Sequence, residues 1–221
     1  MRNQTMKFSN ETIGVLKNFA TINPSIVFKP GSTVRTISPQ KTVMAAASIS
    51  ETVDIQAGVY DLSRLLATLS LFENPEVEFG DDRFTIKGGR SEVKYTYTSE
   101  SLIVSPPDKD IVVPDPEATV NVTWADIDSV IRATGVLQLP EVAFSSDGST
   151  IKLSAVDSKT STADKYEVVV AEGVSTEPFN MIIKTDNLKL MPTDYEVTLS
   201  SKGMAHFKSD VAQYWVAIES R

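Results

Sequence analysis

Cysteine is absent from the 221 residues. Disulfides, thiolate metal sites and thiol catalysis are therefore excluded. A reducing compartment is compatible with this, though not required by it. Histidine occurs once, at His206 between Ala205 and Phe207. With no second histidine and no cysteine, the common zinc sites cannot be built. A Ser-His-Asp triad could draw only on His206, and no serine sits in a Gly-x-Ser-x-Gly elbow. A solvated or core-edge histidine is the simpler reading. No P-loop or dinucleotide fingerprint occurs, and Gly88-Gly89 reads as a hairpin turn. Asp126-x-Asp128 and Asp108-x-Asp110 look like metal-binding pairs. The first suits the first turn of a helix, and the second lies in a proline-rich stretch. The expectation is a protein that is not an enzyme, with no cofactor and no metal.

Long apolar runs are missing too, so no membrane span is expected. Met1 to Asn10 is polar and lacks an apolar signal core, which predicts a cytosolic protein. Acids outnumber bases, 29 to 21, for a net charge of −8. That balance argues against a surface that grips nucleic acid everywhere. It leaves room for a small, locally basic channel.

What is present is one unit written twice. Ser9 to Ile22 reads as a helix, followed by Ser25-Ile-Val-Phe28 and Gly31-Ser-Thr-Val34. Thr123 to Leu137 reads the same way, followed by Glu141-Val-Ala-Phe144 and Gly148-Ser-Thr-Ile151. Thr12, Val15, Leu16, Phe19 and Ile22 fall at i, i+3, i+4, i+7 and i+10. Ile127, Val130, Ile131, Thr134 and Leu137 repeat that spacing, so each helix has one apolar stripe. Ser9 and Thr123 suit N-caps, Thr123 with Asp126 as a capping box. A further helix follows Asp61, with Leu62, Leu65, Leu66, Leu69 and Phe72 in phase. Thr185 to Met191 is its shorter counterpart, stopped by Pro192. The remainder reads as short strands between turn signals such as Asp147-Gly148 and Lys202-Gly203. Four prolines between Ser101 and Pro116 mark a linker, and Ile111 to Val113 suggest that it packs down. The domains are then 1–100 and 119–221, joined by 101–118.

Several segments resemble a known family. Val15-Leu-Lys-Asn-Phe-Ala-Thr-Ile-Asn23 is similar to the opening helix of the sliding clamps of T-even-type tailed bacteriophages. Val59-Tyr-Asp-Leu62 and Leu69-Ser-Leu71 resemble the second helix of that family. Phe179-Asn-Met-Ile-Ile183, Met191-Pro192 and Tyr214-Trp-Val-Ala-Ile-Glu219 resemble its closing section. The resemblance implies an α+β fold with two similar DNA-clamp domains per chain. Each would have two helices packed on antiparallel sheets. Three chains would close head-to-tail into a six-domain ring, a homotrimer around double-stranded DNA. A clamp loader would place it, and DNA polymerase and late-transcription factors would be its partners. The setting would be the cytoplasm of the infected bacterial host. A structural or assembly protein of a phage particle is the alternative, from a different class.

The resemblance also directs attention to particular residues. Lys17 and Arg132 each lie five residues past the first stripe position, opposite the stripe. Arg64 faces away from its leucines, and Lys184 and Lys189 flank the short helix. This set is expected to face DNA, against the plainer reading of solvated bases. In clamps the last strand of the first domain pairs with a strand of the next chain's second domain. Here these are Glu92 to Thr98, with Val93, Tyr95 and Tyr97, and Lys165 to Ala171, with Tyr166, Val168 and Val170. The same pattern suits interior strands of one domain. Ile111, Val113, Ala217 and Ile218 are expected to form an apolar pocket for partner peptides, and core packing accounts for them equally well.

Overall fold

The structure, a computed structural model, describes residues 4–219. The chain divides into two compact units, Met1–Asp108 and Lys109–Arg221.

Unit 1 runs β1 (Gln4–Met6), α1 (Asn10–Ile22), β2 (Ile26–Phe28), β3 (Gly31–Ile37), β4 (Val43–Val53) and β5 (Ala57–Val59). It continues with α2 (Leu62–Leu69), β6 (Glu76–Phe79), β7 (Arg83–Gly88) and β8 (Ser91–Thr96). A 3-10 turn at Glu100–Leu102 follows. Unit 2 runs β9 (Ala118–Val122), α3 (Trp124–Leu137), β10 (Glu141–Ser146), β11 (Thr150–Val156), β12 (Tyr166–Glu172) and β13 (Phe179–Lys184). It ends with β14 (Tyr195–Ser200), β15 (Met204–Lys208) and β16 (Ala212–Ala217).

The sequence repeat is a repeat of topology. Unit 1 contains an antiparallel sheet in the order β1-β6-β7-β8. Unit 2 contains β9-β14-β15-β16, strand for strand the same. β2 pairs with β5 and β3 with β4, as β10 pairs with β13 and β11 with β12. In unit 2, β10 also pairs with β11, which joins these strands into one sheet, β12-β11-β10-β13.

Stripe positions go to the core. Thr12, Val15, Leu16, Phe19 and Ile22 are all buried in α1. In α3, Ile127, Val130 and Thr134 are buried, while Ile131 and Leu137 are half-buried. The two buried threonines of the helix stripes each have a partner for the hydroxyl: Thr12 donates to Glu51 and Thr134 to the Ile131 carbonyl. Aromatic rings anchor both units. Phe79 lies edge-to-face on Phe84, centroids 4.8 Å apart, and on Phe28 at 6.2 Å. Tyr195, Tyr214 and Phe207 form the corresponding cluster in unit 2. Burial of one such ring is worth about 1.5–3 kcal/mol. Gly88 is where Phe72, in the turn that follows α2, meets the β7–β8 hairpin. A Cβ there would fall 2.7 Å from Phe72 Cδ1, so only glycine admits that ring.

Three expectations need correction. Thr185 to Met191 is not a helix: Thr185–Asn187 forms a single 3-10 turn and the chain is then irregular to Tyr195. Seven residues before a proline are too few to repay helix nucleation. Thr123 does cap α3, its Oγ1 accepting from Asp126 N, but the Asp126 carboxylate accepts from the Thr123 hydroxyl at 2.7 Å. The capping box is therefore incomplete. Trp124 N instead donates to Asp194, 2.7 Å away. Finally, Val53 to Ala57, which reads from sequence as one of the short strands, is not one strand. It spans the end of β4 and the start of β5.

Candidate functional site

Three surfaces carry the residues singled out from sequence. The first is helical. α1 and α2 pack on each other in unit 1. Ser9 and Asp61 cap them, accepting from Thr12 N at 3.1 Å and Arg64 N at 2.8 Å. Lys17 and Arg64 project from these helices as exposed side chains. Lys17 also borders a cavity of about 250 Å³ between the two helices, walled by Phe8, Ile13, Leu66 and Phe72. In unit 2, Arg132 is exposed on α3 and forms an i,i+4 ion pair with Asp128, 3.0 Å apart. Lys184 stands at the end of β13 and is paired with Glu219 at 3.3 Å. Lys189 is exposed in the irregular segment after the 3-10 turn, not on a helix. The five bases thus divide between two helices of unit 1, one helix of unit 2 and a non-helical segment.

The second surface is made of sheet edges. β8 closes the order β1-β6-β7-β8, and β12 opens the order β12-β11-β10-β13. Each pairs with one neighbour in its own sheet, β7 and β11 respectively. The side chains named from sequence are largely engaged within their own unit. Val93, Tyr95 and Tyr97 are half-buried. Tyr95 Oη donates to the Asp61 carbonyl at 2.9 Å, and Tyr97 lies edge-to-face on Phe84 at 4.7 Å. Burial pushes the Tyr97 phenol well above its ordinary range. Val168 and Val170 are half-buried, and Tyr166 is 39% exposed. What the edges offer outward is backbone, together with residues that alternation alone did not single out. Val169 is 46% exposed, and Glu167 accepts from Lys165 at 2.6 Å and Lys152 at 2.9 Å. Hydrogen bonds from Lys165 and then Lys152 pull the Glu167 carboxyl down to about 2. A β-bulge shifts the register between Ile151 and Lys152, so alternation holds through Val169 and breaks just beyond it, where Val170 and Ala171 are both half-buried.

The third surface joins residues 110–117 to the closing strands of unit 2. Trp215 Nε1 donates to the Ile111 carbonyl at 2.8 Å, and Gln213 Nε2 to Asp110 Oδ2 at 2.9 Å. Ser200 Oγ donates to the Pro114 carbonyl, and Glu117 N to the Leu199 carbonyl at 2.9 Å. Ile111, Val113, Ala217 and Ile218 are all half-buried, and Val112 between the first two is 85% exposed. Sequence pattern missed Trp215 as the tie to this segment. Its only signal was an indole in a strand, which needs an acceptor when buried.

His206 lies flat on Trp215, centroids 4.8 Å apart and planes 16° apart, with Nε2 3.1 Å from Gln213 Oε1. Burial lowers its pKa. The aspartates of the two Asp-x-Asp pairs are engaged elsewhere: Asp126 with Thr123, Asp128 with Arg132, Asp108 with Lys29 and Asp110 with Gln213. Among the described residues no group of three His, Asp or Glu could hold a metal ion. Among them, too, no helix is long and apolar enough to cross a membrane.

Known proteins share this arrangement. Residues 9–105 match the family described as DNA polymerase processivity factor, and residues 119–220 match gp45 sliding clamp, C terminal. The chain is 31% identical to the sliding clamp of Enterobacteria phage T4 over 223 residues, covering 97% of each chain. It is 30% identical to the sliding clamp of Vibrio phage KVP40, covering 97% of this chain and all of that one. The fold extends further. A. fulgidus PCNA, in a structure with the C-terminal region of FEN-1, superposes with a TM-score of 0.70 at 15% identity, over 100% and 99% of the two chains. The β chain of DNA polymerase III from Streptococcus pneumoniae gives 0.72 at 12% identity, over all of this chain and 66% of that one. With a doubled topology of this kind and relatives aligned across nearly its full length, the chain belongs to the sliding clamp family.

Proposed function

We propose that three copies of this chain close head-to-tail around duplex DNA and hold a DNA polymerase on its template as a processivity factor. The observation that carries this reading is the position of β8 and β12, each at the end of its own sheet's order in its own unit. Such edges present unpaired backbone donors and acceptors, and unlike edges generate a heterologous interface that can close into a ring. A ring is retained by topology rather than by affinity. It needs only weak, sequence-independent contacts to phosphates in order to slide. Lys17, Arg64, Arg132, Lys184 and Lys189 supply these contacts in this reading. Arg132 and Lys184 already share their charge with an acid, which keeps the grip loose.

The protein acts without catalysis in this proposal. Ring opening is driven by a separate, ATP-consuming clamp loader, and late-transcription factors are further clients. Partner peptides dock against residues 110–114 and β16, where Ile111, Val113, Ala217 and Ile218 are half-buried. The site of action is the cytoplasm of the infected bacterial host. The test is native mass by light scattering across a dilution series, followed by loader-dependent polymerase assays on circular DNA. A species near three times 24.1 kDa that supports long products is the expected result. A monomer at every concentration would overturn the ring.

A further inference from the structure

Unit 1 contains a cavity of about 390 Å³ beside β2 and β3, bordered on its far side by residues 104–108. None of the residues assigned above to DNA, to subunit contacts or to partner peptides lines it. Its chemistry is unlike that of the core. Lys29 and Arg35 bring two positive charges to it, and Thr33, Thr36, Ser25 and Ser105 bring hydroxyls. Thr36 is 2% exposed, yet neither Thr36 Oγ1 nor Ser105 Oγ has a hydrogen-bond partner among the described residues. Buried hydroxyls left unpaired are costly, and native structures carry few of them. Two at one cavity point to a polar ligand.

The cavity already holds one anion of its own. Asp108 Oδ1 lies 2.6 Å from Lys29 Nζ, on a side chain that is itself 74% exposed. The hydrogen bond from Lys29, its charge, and then the charge of Arg35 hold the Asp108 carboxyl below the usual carboxylate range. Glu100 stands 4.0 Å from Lys29 and is bonded in turn by Gln56, so it is a weaker neighbour. The carboxylate that meets Lys29 is thus carried by an exposed residue at a bend outside any helix or strand, which is how a peptide could present one.

We propose that this cavity binds an acidic side chain of a peptide ligand, and that Asp108 is its built-in competitor. The incoming carboxylate takes the place of Asp108 on Lys29. The guanidinium of Arg35 and the hydroxyls of Thr36 and Ser105 complete its shell. Ile26, Val27 and Pro106 give the flanking peptide backbone an apolar wall, which a bare inorganic ion would not use. The proposal does not depend on ring formation, because every residue in it belongs to unit 1.

The experiment titrates the full-length chain with acetyl-Asp-Ala-Asp-Ala-amide, its asparagine counterpart and inorganic phosphate. Binding is read by saturation-transfer NMR at low ionic strength. The acidic peptide should bind and the asparagine peptide should not. Asp108→Asn should tighten binding about threefold, because it removes a weak surface competitor. Lys29→Gln should abolish it. Thr36→Val should weaken binding while leaving the melting temperature unchanged or raised, an outcome opposite to that of a purely structural threonine. Equal binding of the two peptides, no effect of Asp108→Asn, or binding of phosphate in place of the acidic peptide would each overturn the assignment.

Discussion

Thr12 Oγ1 donates a 2.6 Å hydrogen bond to Glu51 Oε2, across 39 residues of sequence. The other carboxylate oxygen of Glu51 accepts from Ser9 N, the backbone donor of the helix cap itself. One acid on β4 thus completes the N-terminus of α1 in place of a capping-box glutamate. Removing it should cost the usual value of a cap. Glu51→Ala is expected to lower stability by about 1–2 kcal/mol in denaturant titrations.

The same acid sets a pH dependence. Burial alone would raise the Glu51 pKa, but hydrogen bonds from Thr12 and Ser9 outweigh it and hold the carboxyl below its ordinary 4.5. The unfolded chain therefore binds the proton more readily than the folded one. The stabilisation is fully present above pH 4.5 and is lost as pH falls through the lowered folded value. Melting temperature measured from pH 7 down to pH 3 should fall less steeply in Glu51→Gln than in the parent.

At the β12 edge, Val169→Glu places a charge on a residue already 46% exposed, so the unit should keep its fold. Dissociation measured by dilution should become easier by about tenfold or more, as expected for a charge set against a pairing edge. Unchanged dissociation would remove this edge from the subunit contact.

Reversing Lys17, Arg64, Arg132 and Lys189 together should abolish loader-dependent synthesis without changing native mass. Asp128→Asn should act in the other direction, because it frees Arg132 from its 3.0 Å partner. If Arg132 then meets a phosphate, the dependence of DNA affinity on salt should steepen by about one unit of log–log slope per chain.

Trp215→Phe keeps the packing on His206 but removes the donor to the Ile111 carbonyl. A loss of about 1 kcal/mol is expected. Amide exchange at Ile111 to Val113 should quicken while exchange in β15 and β16 stays slow.

Much of the fold was legible because helix periodicity is a strong signal. The α1 stripe is buried at every position read from sequence, and the duplicated helix–strand–strand pattern proved to be a duplicated topology. Short strands were harder. Gln4–Met6 and Ala118–Val122 went unread, since three to five alternating residues carry little pattern of their own and become strands by pairing with β6 and β14. Thr185 to Met191 has the apolar spacing of a helix but too few residues before Pro192 to form one. For the candidate surfaces, sequence located strands and helix faces but not partners. Nothing local reveals that Tyr95 turns inward to the Asp61 carbonyl, or that Lys29 and Asp108 meet. Those pairings depend on chain brought together from 34 and 79 residues away.

The stack of His206 on Trp215 gives the protein an optical reporter of its own. Of the two tryptophans, Trp124 is half-exposed at the start of α3, whereas Trp215 is 3% exposed, with its indole N–H committed to Ile111. In a Trp124→Phe background, emission comes from Trp215 alone. Its wavelength then follows whether residues 110–114 are seated, and its intensity follows the charge on the imidazole beneath it. Seating and release of that segment can be watched by fluorescence in an unlabelled chain.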